Sequence, residues 1–173
     1  MAALIGIISV IGMLIIWAGR AARSARHISD AAGTLANLPR KLRYQKRVGR
    51  SGLDLVESPR EAATVLMVAI ARLSGDGRVS PGESDAIETG LIEHMDWPAE
   101  DAEEFVLNIR WLTREYKQAD SVLRPMTNFL QKQISSKEAA ELRDMMESIA
   151  AVNGPTDSQQ DLIRRYSDLM NLS

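Results

Sequence analysis

The chain contains no cysteine, which removes disulfides, thiolate zinc sites and cysteine nucleophiles and leaves the redox compartment unmarked. Histidine is almost as scarce, with His27 in a basic stretch and His94 late in a helix, neither at metal-ligand or triad spacing from a partner. The glycine patterns of phosphate and dinucleotide loops are missing. No segment alternates like a strand, and no Asn-Gly turn lies between two such segments. Aromatic residues make up only 5% of the chain. Two of them, Trp97 before Pro98 and Trp111 on a helix, are candidate partner-binding anchors, with core packing as the competing use. The carboxylate pairs Glu100-Asp101 and Glu103-Glu104 stand early in a helix, where they complement its dipole. Nothing here assembles a catalytic motif, so an enzyme is not expected; a hydrolase would require a buried carboxylate in a cleft.

Charge is present but unevenly spread. Residues 19–50 carry nine Lys/Arg and one Asp, a balance of +8, while residues 51–173 carry twelve Lys/Arg against twenty-two Asp/Glu, a balance of −10. Such asymmetry argues against a uniform nucleic-acid binder and for a short basic zone beside an acidic domain.

One long apolar run exists. AALIGIISVIGMLIIWA, residues 2–18, has no charged side chain, and at about 1.5 Å per residue it approaches the roughly 30 Å hydrocarbon thickness of a bilayer. Trp17 stands at its end and Arg20, Arg23 and Arg26 follow. A signal peptide would place its basic residues before the apolar run, so the expected reading is a single transmembrane anchor over 1–19. The positive-inside rule then leaves the N-terminus outside and the rest in the cytoplasm, at a bacterial inner membrane. Gly6, Ser9 and Gly12 share a face that would let another membrane helix approach.

Residues 20–52 read as a basic juxtamembrane helix, stopped by Pro39, and a linker. Its run RKLRYQKRVGR interleaves Arg40, Lys41, Arg43, Lys46 and Arg47 with Leu42, Tyr44 and Val48, a composition suited, together with Arg20, Arg23 and Arg26, to anionic lipid head groups.

From residue 53 onward the chain is expected to be an all-α bundle of six or seven short helices. Four capping boxes announce helix starts: Ser58 to Glu61, Ser80 to Glu83, Ser135 to Glu138 and Thr156 to Gln159, the first two with proline at the first helical position. AATVLMVAIARL, residues 62–73, is apolar almost all round, as befits a central buried helix. Glu104 to Tyr116 places Phe105, Ile109, Leu112 and Tyr116 on one face, and Leu142, Met145, Met146 and Ile149 repeat the pattern later.

The stretch SGDGRVSPGE, residues 74–83, looks like part of a calcium loop. In the twelve-position frame Asp76 takes position five, Gly77 six, Val79 eight and Glu83 twelve, but Arg72 falls at the first ligand position, where a cation excludes an EF-hand. The frame recurs at AAVNGPTDSQQ, residues 150–160, with Asn153-Gly154 standing for Asp76-Gly77 and Gln160 for Glu83, an internal pseudo-repeat.

These two stretches resemble the TerB-like domain, known from tellurite-resistance proteins and from a membrane-anchored co-chaperone. The family signature is a helix ending in Ala-x-Ala-Asp-Gly-x-Val/Ile-x-x-x-Glu, repeated near the C-terminus; here it reads ARLSGDGRVSPGE and AAVNGPTDSQQ. The resemblance spans about residues 57–170 and implies an all-helical domain with Asp76 and Glu83 as candidate metal ligands. A backbone-capping role for the same two residues is the alternative. The co-chaperone's His-Pro-Asp motif is missing, so chaperone stimulation is not implied.

Taken together, these features lead to the expectation of a non-enzymatic adaptor or accessory subunit. It would bind an integral membrane protein or complex, touch anionic lipids, leave nucleic acid alone and need no cofactor. A metal- or oxyanion-binding protein using Asp76 and Glu83 is the alternative.

Overall fold

The computed structural model describes residues 52–172, which form a 3-10 turn at Gly52–Leu55 and six α-helices, with no strand among them. In chain order the helices are α1 (Pro59–Ala71), α2 (Pro81–Met95), α3 (Ala99–Leu112), α4 (Asp120–Leu130), α5 (Ser136–Ala151) and α6 (Asp157–Met170). The all-α expectation holds for these residues. The transmembrane part of the expected architecture does not: no helix among the described residues is long and apolar enough to cross a membrane. The fold class is therefore corrected to an all-α helical unit without a membrane span among its described elements. The stretch 1–19 with Gly6, Ser9 and Gly12 lies outside the described residues, as do the basic positions from Arg20 to Arg47.

All four capping boxes form as their sequence spacing requires, each with the Ser or Thr side chain accepting from the third helical N–H and the Glu or Gln reaching back to the cap N–H. Two orphan donors are satisfied at each helix start, which fixes where the chain turns inward.

The apolarity of α1 is explained by its surroundings. It packs against α2, α3, α4 and α5, and every residue from Ala62 to Ala71 is buried. Leu66, Met67 and Ile70 are fully enclosed, each contributing about 1.5–3 kcal/mol of transfer free energy. Where α2 passes α5 the helices come close: a Cβ on Gly90 would stand 3.1 Å from Met145 Sδ, so glycine sets that spacing.

Helix α3 buries Ala102, Phe105, Val106, Ile109 and Leu112 but ends at Leu112, short of the expected Tyr116. Two side chains close it. The Thr113 hydroxyl donates to Ile109 O at 2.8 Å. From the C-cap of α1, Arg72 donates to Thr113 O at 2.8 Å and to Arg110 O at 2.9 Å. Arg72 thereby satisfies Arg110 O, which the Arg114 N–H of a longer helix would have taken. Burial, and then the nearby Arg110, hold the Arg72 guanidinium below its ordinary pKa.

Helix α4 has no side-chain cap and contains Pro125; its position comes from packing Val122, Leu123, Met126 and Leu130 inward. Helix α5 buries Leu142, Met145, Met146 and Ile149 as the spacing predicts. Tyr166 of α6 is fully buried, and its hydroxyl donates to Ala139 O at 3.1 Å.

Candidate functional site

The loop that raised the ion question joins α1 to α2. It turns at Gly77, whose φ of +83° is a left-handed conformation that glycine adopts without strain. Asp76 is spent locally. Its Oδ1 accepts from the Arg78 N–H at 3.0 Å, its Oδ2 lies 3.6 Å from Arg78 Nε, and its side chain is 70% exposed.

Glu83 has the opposite environment. It is fully buried; Oε2 accepts from the Ser80 N–H at 2.8 Å, while the Glu83 N–H donates to Ser80 Oγ at 3.3 Å. Its second oxygen, Oε1, is buried without a hydrogen-bond partner. A hard divalent cation takes six or more oxygens, and among the described residues no group of three or more His, Cys, Asp or Glu is placed to hold one. The two proposed ligands thus occupy unlike environments, one an exposed turn and the other a buried cap.

The second copy of the motif shares the backbone and shifts the register. Gly154 also has φ +83°, but one residue fewer separates it from the helix cap, which is Thr156 instead of the Ser80 equivalent. The buried counterpart of Glu83 is therefore Gln159, not Gln160, which is exposed. The two junctions face each other. Thr156 Oγ1 donates to Leu73 O at 3.1 Å, and Asn153 Nδ2 donates to Ser80 Oγ at 3.3 Å. Gln159 Oε1 accepts from the Thr156 N–H at 2.9 Å, while its Nε2 donates to Ile70 O at 3.1 Å. One amide therefore caps α6 and ties it to the end of α1, a task that needs a donor and an acceptor on one side chain.

The tryptophans part company. Trp97 is half-buried at the corner between α2 and α3. It stacks on Phe105 with centroids 4.1 Å apart and an interplanar angle of 26°, and Arg60 lies 5.9 Å from its ring centre. Trp111 is 48% exposed, and Leu107, one turn earlier on the same face, is 49% exposed. The Arg114 guanidinium covers the Trp111 ring at 4.2 Å. Residue type singles out Trp111 but not Leu107, although a helical wheel of α3 places both opposite the buried face.

At the other end of α1, α2 and α5 from the paired loops lies a cleft of about 500 Å³. Leu130, Leu142 and Met145 form its buried apolar floor, with Ala63 and Ile134 beside them. Its rim carries Arg60 and His94 against Asp96, Glu138 and Glu141, so acidic groups outnumber basic ones. The Glu138 carboxyl is pulled below its ordinary pKa, first by the Ser135 backbone N–H and then by the Ser135 hydroxyl. No local motif marks this cleft in the sequence, because its residues come from four separate helices and the turn after α4.

Compared with known families, curated proteins and solved structures, the chain matches none.

Proposed function

We propose that the helical unit is a non-catalytic interaction module, an adaptor or accessory subunit that binds another protein. The observation that carries this reading is the cleft of about 500 Å³ with its buried floor of Leu130, Leu142 and Met145 and its charged rim. Pockets of a few hundred Å³ with apolar floors and a few polar groups are the usual form of a binding site. The acidic excess at the rim suits a partner segment that inserts an apolar side chain and flanks it with Lys or Arg.

The test is to purify the full-length protein from its native cells under mild conditions and identify what co-purifies stoichiometrically, beside Ile134→Arg and Glu141→Lys variants. A partner retained by the wild type and lost from both variants, with unchanged circular dichroism, supports the reading. Recovery of the protein alone, or of a partner indifferent to both substitutions, defeats it.

A further inference from the structure

We infer that the outer face of α3 is a self-association surface, on which a second copy of this chain docks antiparallel across a two-fold axis centred on Leu107. The starting observation is the pair Leu107 and Trp111, 49% and 48% exposed on a helix that is otherwise well packed. Among the described residues the one other exposed large apolar side chain is Val152, in a different region after α5.

What covers this face is argued from its charges. At about 100° per residue, Glu100, Glu103, Glu104, Arg110 and Trp111 all fall within roughly 60° of the direction of Leu107, and Arg114, in the turn beyond Leu112, brings its guanidinium over the Trp111 ring. The acidic residues precede Leu107 and the basic ones follow it. In an antiparallel pair crossing at Leu107, residues equally far before and after it meet. Glu100 then faces Arg114 of the second copy, Glu103 faces Trp111, and Leu107 faces itself, while Glu104, half-buried with one carboxylate oxygen enclosed, stands at the edge of the pairing beside Arg110. The two-fold axis repeats each pairing, giving the self-complementary patch that an isologous dimer requires. A parallel pairing would set glutamate against glutamate and arginine against arginine, which is repulsive. A shallow crossing of about 20°, common between packed helices, keeps positions seven residues from the centre in reach.

Within one copy the Arg114 guanidinium lies over Trp111, donates to Trp111 O at 3.0 Å and stands 3.4 Å from Glu115, so the pairing adds Glu100 to a cation already held against this face. A single helix pair falls at the small end of specific interfaces, below roughly 1,200 Å². The dimer is therefore expected to be weak, dependent on concentration and loosened by salt.

The absence of cysteine permits a direct test of register on the full chain. Under mild oxidation Leu107→Cys should form a disulfide-linked dimer. Glu100→Cys and Arg114→Cys should each cross-link poorly alone and efficiently when mixed. Val152→Cys, which is exposed but off the face, serves as the collision control. As a second readout, Arg114→Glu should lose dimer in sedimentation, and mixing it with Glu100→Arg should restore it. Self-linking of Glu100→Cys as strong as the mixed reaction would mean parallel packing and overturn the proposal. A Leu107→Cys yield no higher than that of Val152→Cys would overturn it too, leaving α3 to a different partner.

Discussion

Gln159→Glu is nearly isosteric, yet it should be among the most damaging single changes in the helical unit. Gln159 is fully buried and its Nε2 donates to Ile70 O at 3.1 Å. The substitution sets an anionic oxygen against that carbonyl. The lost bond costs about 0.5–1.5 kcal/mol, since Ile70 O keeps the Leu73 N–H at 3.0 Å, and the buried charge adds several kcal/mol. The acceptor for the Thr156 N–H survives, and the negative charge at a helix start returns up to about 1 kcal/mol. The net cost is about 3–5 kcal/mol, which moves a urea midpoint followed by circular dichroism by roughly 2–3 M. Because the folded state disfavours the charge, the introduced carboxyl has a raised folded pKa. Its penalty should vanish below the ordinary carboxylate range, where the protonated group can donate to Ile70 O, and grow as pH rises from that range up to the raised folded value. Glu83→Gln is the control: the amide oxygen still accepts from the Ser80 N–H, so its cost stays within about 1 kcal/mol. A loss below 1 kcal/mol for Gln159→Glu, or one independent of pH, would show that the two repeats are not joined as described.

The Glu138 carboxyl should titrate below an ordinary glutamate in a ¹³C NMR experiment, because Ser135 stabilises its charged form. With the folded pKa depressed, the stability it contributes is present above the ordinary carboxylate range and lost as pH falls through the lowered folded value; Ser135→Ala should move the midpoint part of the way back. Arg72→Met removes both bonds to the end of α3 and should cost about 2–3 kcal/mol in denaturant unfolding. Arg72→Lys should recover less than half of that, since one ammonium cannot reproduce the guanidinium fork. Asp76→Asn should change stability by less than about 0.5 kcal/mol, because the amide oxygen can still accept from the Arg78 N–H; a calcium- or magnesium-dependent rise in thermal midpoint that this substitution abolishes would contradict that.

Features carried by a few adjacent residues were legible in the sequence. Ser80 and Glu83 announce a helix start because the capping box needs only a three-residue spacing, and α1 declares its burial because nearly every side chain in it is apolar. Features assembled from distant residues were not. Helix α4 begins without a side-chain cap and contains Pro125, so local rules argue against it and only tertiary packing places it. The end of α3 depends on Arg72, some forty residues away in the chain, and no periodicity within 104–116 could report that. Membrane attachment was argued from residues 1–19, and none of the described helices carries it.

The second repeat shows what motif spacing leaves out, since Gln159 and not the expected Gln160 is the buried counterpart of Glu83. Read against a calcium loop, the amides at Asn153 and the helix start look like acids that have lost their charge. In place, Asn153 donates to Ser80 and Gln159 donates to Ile70 while accepting from Thr156. No carboxylate can donate at neutral pH, so the amides are what the contact between the repeats requires. Glu83 keeps one oxygen on its own cap and leaves the other unpartnered in the interior. The two copies have thus diverged in donor content: the second repeat supplies the hydrogens for the junction and the first supplies acceptors at Ile70, Leu73 and Ser80. That division of labour explains the sequence difference with no ion at all, and it makes Gln159 the position at which the pairing is most sensitive to one atom.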